Sequence, residues 1–269
     1  MQLGIDRVKL RNRAKWELQR RKHSMNNQRK EKDYTSIKTF FATMVLLIFF
    51  FLQGAVVVIN KIEGTESAMV RGVIIGLAAI VAIVFSLIKN KNLTSVGFRK
   101  PEQGASKKLL YYIPLLVIAL SAWVVGIDFG KGSGLILANL FLAINVGFAE
   151  EIYFRGIICN MWLEKSVKKA VIVSSILFGI CHLMNVLGGA SPVETILQIC
   201  FAFAYGIVFA LIFVISKSIW PCILLHAFHD SCSFLSFDGS MQMNIIIGTV
   251  QFFLMITYIA VILRKRGRE

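Results

Sequence analysis

Residues 135–155 read LILANLFLAINVGFAEEIYFR. From Leu135 to Ala149 nothing is ionisable and the only strongly polar side chains are Asn139 and Asn145. With no polar face for water to wet, such a helix needs a lipid solvent, and at ~1.5 Å per residue the stretch approaches the ~30 Å of a hydrocarbon core. It then ends in two glutamates and an arginine, Glu150, Glu151 and Arg155. The run therefore fixes a membrane fold and also places charge where lipid penalises it.

The rest of the chain follows the same rule. Of 269 residues, 56% are hydrophobic. Eight apolar runs read as membrane-spanning helices: 39–59, 70–87, 109–125, 135–154, 170–184, 195–215, 219–235 and 245–263. The expected fold is all-α and polytopic, with a basic tail over 1–38 followed by one transmembrane domain over 39–269. Pro101 and Pro192 fall between runs and Pro221 in a first helical turn, where a missing N–H is harmless; only Pro114 lies inside a run, near its start.

The formal charge of +15 is a topology signal and calls for no nucleic-acid partner. Lys and Arg gather in residues 1–38, 88–108, 155–169, at Lys217 and in 264–269, whereas the alternate connections around Glu63, Asp128, Glu194 and Asp238 are neutral or acidic. By the positive-inside rule both termini are cytoplasmic, in a multi-pass protein of the cell membrane. The first run lacks a small-residue cleavage pattern and is expected to stay as an anchor. Within the tail, Ile5 to Lys22 mixes apolar and basic residues, which suits either a helix on anionic lipid or a solvated segment, and Met25 offers an alternative start. Arg71, close to its helix end, is expected to snorkel outward, and the Gly72–Gly76 spacing is too common among membrane helices to carry weight. Five cysteines at 159, 181, 200, 222 and 232, without CxxC spacing, read as buried hydrophobes rather than disulfides.

Ionisable groups at hydrocarbon depth cost at least ~2.5–3.5 kcal/mol each and point to function. Three spans carry them: Glu150, Glu151 and Arg155 on the fourth, Phe178 with His182 on the fifth, and His226, His229 and Asp230 on the seventh. Glu151 and Arg155, four apart, suit a structural ion pair, which turns Glu150 about 100° away and leaves it free for chemistry. His226 and Asp230 share a face, with His229 the less certain member, and Phe178 is placed to shield His182.

The residue kits of other intramembrane proteases are missing: there is no HExxH helix, no GxSxG elbow and no second membrane Asp to share a proton with Asp230. Cys181 and His182 are helix neighbours whose side chains diverge, which disfavours a thiolate–imidazole pair. What remains is Glu150 with His182, His226 and Asp230: a carboxylate to activate water, imidazoles to move a proton and donors to hold an oxyanion. The same two His and two carboxylates are also a ligand set for a divalent metal such as zinc. Depth sets a condition on the site. A straight fifth span from Ala170 puts His182 about 18 Å from the cytoplasmic side, and Glu150 and His226 sit at about 10 Å. Assembly then requires a tilt or an extension of the fifth span.

The order EExxxR (Glu150 to Arg155), FxxxH (Phe178 to His182) and HxxxD (His226 to Asp230) resembles the CAAX protease and bacteriocin-processing family, also called Abi or CPBP. The resemblance covers about residues 90–235, with Val96–Lys100 as a further family-like stretch. It implies an intramembrane endopeptidase without a cofactor. Glu150, helped by His182, would deprotonate a water, His226 and Asp230 would hold the oxyanion, and Glu151 with Arg155 would give structural support. Asp230 fits that role as a protonated donor or by orienting His226. The implied substrate is a peptide or membrane protein, in peptide maturation or bacteriocin self-immunity. Two other classes use similar residues: a non-catalytic membrane scaffold or immunity protein, and a proton-coupled transporter, which would show broken helices or internal symmetry that the sequence lacks.

Overall fold

A computed structural model describes residues 17, 19, 34–187 and 190–266. Glu17 and Gln19 are helical and exposed; the rest of the tail expected to meet lipid lies outside the described residues. The chain divides into two compact units, residues 1–41 and 42–269. In the first, Thr39 Oγ1 donates to Thr35 O at 2.8 Å and the rings of Phe40 and Phe41 meet edge to face.

Helices follow in chain order: α1 (Tyr34–Ile59), α2 (Gly64–Asn90), α3 (Ile113–Leu120), α4 (Gly132–Glu151), α5 (Val167–Cys181), α6 (Pro192–Ser216), α7 (Trp220–Phe234) and α8 (Met241–Arg266). The described residues contain no β-strand, only an isolated antiparallel bridge between Ile127 and Ser236. The fold is all-α, as the apolar runs predict. Six of the helical stretches among the described residues are long and apolar enough to cross a membrane, fewer than the eight expected.

The two that fall short have local causes. The third run breaks before Pro114, which has no N–H to donate and restricts the residue before it. Leu110, Tyr111 and Tyr112 take left-handed conformations there, α3 lasts only eight residues, and 3-10 turns carry the chain to Val125. On α8, Tyr258 Oη donates to Leu109 O at 2.6 Å and so satisfies one carbonyl at that break. The seventh run gives the fifteen-residue α7, opened by Pro221 and crowded with His226, His229, Asp230, Ser231 and Ser233. Pro192 opens α6 instead of lying in a loop.

The fourth run is longer than expected. Helical structure continues past Glu151 through a π-helical segment (Ile152–Cys159) and a last turn (Asn160–Leu163), so that one apolar stretch extends from Phe129 to Leu163. The basic connection expected over 155–169 is thus confined to residues 164–166, and Arg155 is fully buried rather than at a surface.

α6 is the most enclosed helix and packs against α5 and α8; α4 lies between α2 and α7. The α2–α4 seam uses the Gly72–Gly76 spacing after all. A Cβ at Gly72 would meet the Phe141 ring at 2.7 Å, and one at Gly76 would meet Asn145 Oδ1 at 2.5 Å, so a larger residue at either position would displace a side chain of α4. Three cysteines (159, 222, 232) are buried as expected, Cys181 is half-buried and Cys200 is exposed; all five are free.

Candidate functional site

The site begins where α4 and α7 touch. A Cβ on Gly147 would lie 3.0 Å from Ala227 N and 3.2 Å from Ile223 O, so the backbones approach as closely as glycine allows. One turn along α4, Glu150 and Glu151 therefore face His226. Glu151 Oε1 accepts from Arg155 Nη1 at 2.8 Å and pairs with His226 Nδ1, also at 2.8 Å. Glu151 and Arg155 are wholly buried. The expected Glu151–Arg155 ion pair is present, and it continues into His226.

That continuation orients the imidazole. With Nδ1 held by Glu151, His226 directs Nε2 to a point 3.7 Å from both Glu150 Oε2 and Asp230 Oδ2. Glu150 is only 6% exposed, and its Oε2 has no hydrogen-bond donor among the described residues. A buried acceptor without a partner is costly, and in a cavity it is the atom best placed to take a proton or a donor from a bound molecule.

His182 and Asp230 line the same cavity as Glu150 and His226, a space of about 590 Å³. His182 Nδ1 lies 3.0 Å from Phe178 O. A carbonyl can only accept, so Nδ1 carries the hydrogen and Nε2 is the basic nitrogen of the neutral ring. Among the described residues only His226 comes within ion-pair distance of Glu150, so His182 stands further back than the sequence suggests. The extension expected of the fifth span is present, since α5 starts at Val167 rather than Ala170, and His182 reaches the cavity that Glu150 and His226 line. His182 is fifteen residues from the start of α5 and Glu150 thirteen from Leu163, which places each about 20 Å from its helix end.

Aromatic rings seal the lower wall. Phe178 touches His182 and His226 at centroid distances of 5.3 and 5.9 Å and lies under the Arg155 guanidinium at 4.4 Å. Tyr205 and Phe209, stacked at 4.1 Å on α6, complete the box around His226. The sequence reading gave Phe178 its shielding role but passed over α6. The signal there was the spacing of four that puts Phe201, Tyr205 and Phe209 on one face. His229 also lines the cavity, stacked on Phe201, with a buried Nδ1 that has no hydrogen-bond partner among the described residues.

The metal alternative turns on whether these side chains converge. With Nδ1 of His226 held by Glu151 and Nδ1 of His182 by a backbone carbonyl, each ring keeps Nε2 as the nitrogen that would face a metal. Among the described residues no group of three or more His, Cys, Asp or Glu side chains converges closely enough to hold a metal ion.

A buried carboxylate facing an oriented imidazole, inside a multi-pass helical protein, can in chemical terms take and return a proton away from bulk water. Residues 132–232 match the family described as type II CAAX prenyl endopeptidase Rce1-like, which indicates a protease of the CAAX type. The resemblance read from the three motifs is thereby shown, over a narrower region than 90–235; Val96–Lys100 falls outside it, and α4, α5, α6 and most of α7 fall inside. No curated protein matches the chain.

Proposed function

We propose that this protein is an intramembrane endopeptidase in which Glu150 activates water. The observation that carries this reading is the unpartnered, buried Oε2 of Glu150 opposite His226 Nε2 in a cavity shared with His182 and Asp230. Glu150 takes a proton from a water molecule as the water oxygen bonds to the scissile carbonyl carbon, and the basic Nε2 of His182 aligns that water. The carbonyl oxygen gains negative charge and is held by a doubly protonated His226 and a protonated Asp230. Collapse of the tetrahedral intermediate breaks the C–N bond, and the proton on Glu150 passes to the leaving amine, so one water is consumed per peptide bond. Glu151, held by Arg155, fixes the ring of His226 and balances its charge.

The substrate is a peptide or a membrane protein, and the reading places its cleavage in peptide maturation or bacteriocin self-immunity. It also places the protein in the cell membrane with both termini cytoplasmic and the basic tail on anionic lipid. The test compares peptides, by mass spectrometry, in membranes from cells making wild-type or Glu150→Gln protein at equal abundance. Products present only with wild type support the proposal; identical profiles where the wild-type protein is functional overturn it.

A further inference from the structure

From Thr39 to Ile59 on α1 nothing is ionisable, and Gln53 is the most polar side chain. Gln53 and Phe50 share a helix face and line the cavity that holds Glu150. The amide oxygen Oε1 of Gln53 is buried and has no hydrogen-bond partner among the described residues. Five buried side-chain atoms among those residues lack a partner, and the other four belong to Glu150, Glu151, Arg155 and His229 of the candidate site. Gln53 alone brings such an atom to the cavity from α1.

The remaining amides that line the cavity are engaged. Asn185 Nδ2 donates to Gln198 Oε1 at 2.7 Å, Asn244 Nδ2 to Gly239 O at 3.4 Å, and Gln251 Nε2 to Ser121 Oγ at 2.9 Å and Ile118 O at 3.2 Å. Those bonds tie parts of the chain to one another, and the oxygen of Gln53 makes none. A buried acceptor without a donor is costly, whereas a leucine there would suit an apolar helix without that cost. The glutamine is explained by a donor that arrives from outside the chain.

The chemistry of the cavity says which donor. A peptide bond open to attack must leave the helical hydrogen-bond pattern, so the substrate backbone enters with N–H and C=O groups that neither a helix nor bulk water satisfies. A primary amide carries an acceptor and a donor pair on one planar group, the complement of a peptide's own C=O and N–H. We infer that Gln53 binds the main chain of an extended substrate peptide, its Oε1 accepting from a backbone N–H. The inference rests on the proteolytic reading of the cavity and adds a residue that recognises backbone rather than side chain.

Exchanging backbone amides for esters removes one N–H at a time and probes this bond directly. The full-length Glu150→Gln protein in lipid nanodiscs is exposed to a pool of random decapeptides, and the most enriched peptide is resynthesised with each amide in turn replaced by an ester. One ester should weaken binding roughly fivefold to tenfold. Gln53→Leu in the same protein should erase the penalty at that position while weakening the parent peptide by a similar factor. Penalties that are the same in both proteins at every position overturn the inference, as does a pool from which no peptide is enriched.

Stability gives a readout that a structural glutamine would move the other way. Gln53→Leu should leave the unfolding midpoint in detergent unchanged or raise it, because a buried acceptor without a donor disappears. A lower midpoint with the ester pattern unchanged marks a structural residue and overturns the inference.

Turnover by the protein with Glu150 intact separates this inference from the one beneath it. Cleavage of unrelated peptide sequences, with KM raised by a similar factor for all of them in Gln53→Leu, supports both. A rise confined to peptides with one particular side chain, or no rise, overturns the backbone contact and leaves the protease. Gln53-dependent binding without any cleavage sinks the protease and leaves a peptide-binding cavity.

Discussion

α6 and α7 are neighbours in sequence and opposites in chemistry. α6 is twenty-five residues long, with a mean hydropathy of 2.6 over its best window and two-thirds of that window buried. α7 has fifteen residues and carries two histidines and an aspartate. Lipid alone would accept α6 and reject much of α7, yet the fold buries the first and hangs the candidate chemistry on the second. The contrast teaches that the apolar helix supplies the wall, Phe201, Tyr205 and Phe209, against which a poorly membrane-suited helix can be held.

If that division is right, substitutions beside α6 should damage stability and those on α7 should damage activity. The largest effect is expected from Arg155→Met on α4, whose guanidinium lies over Phe178 and Phe209. It takes one of two cationic partners from the buried Glu151, leaving His226, and about 3 kcal/mol of unfolding free energy should be lost in detergent titration, with Glu151→Gln added in the same chain restoring part of it. Next comes His226→Gln, for which cleavage should fall roughly 10²–10³-fold while the unfolding midpoint stays close to wild type. An equally large loss of stability there would erase the contrast between the two helices. Ile212→Ala, on the wholly buried side of α6, should cost about 2 kcal/mol through the cavity it leaves, with activity per folded molecule unchanged. The smallest change belongs to Leu224→Ala on α7, which is 64% exposed; thermal melts should place it within ~0.5 kcal/mol of wild type.

How much of this was legible depended on whether the information was local. Hydrophobic length marked every helix, and i,i+4 spacing paired Glu151 with Arg155. Hydropathy did not say which helix is central: α1 matches the 2.6 of α6, but only 17% of its window is buried against 67%. Lipid and protein interior are equally apolar solvents, so one sequence pattern suits both. The pairing of Glu151 with His226 bridges 75 residues and has no spacing rule to announce it. The extension of α4 was hidden because Arg155 reads as a helix-ending cation unless its partner Glu151, its stacking on Phe178 and the carbonyl of Gly206 are known.

The turn between α6 and α7 is fastened to the stretch after α2: Ile219 N donates to Gly97 O and Glu102 N to Ser216 O, each at 2.8 Å, while Arg99 Nε reaches Lys217 O at 2.6 Å and Ser218 Oγ reaches Arg99 O at 2.5 Å. These bonds join segments made well over a hundred residues apart. During synthesis the earlier segment must wait for most of the remaining chain to emerge, and a short, polar helix gains its foothold only once that latch closes. Seating of α7 is therefore a late event in biogenesis, and a ribosome-stalled chain ending before residue 216 should hold every helix through α5 yet present no finished catalytic chamber.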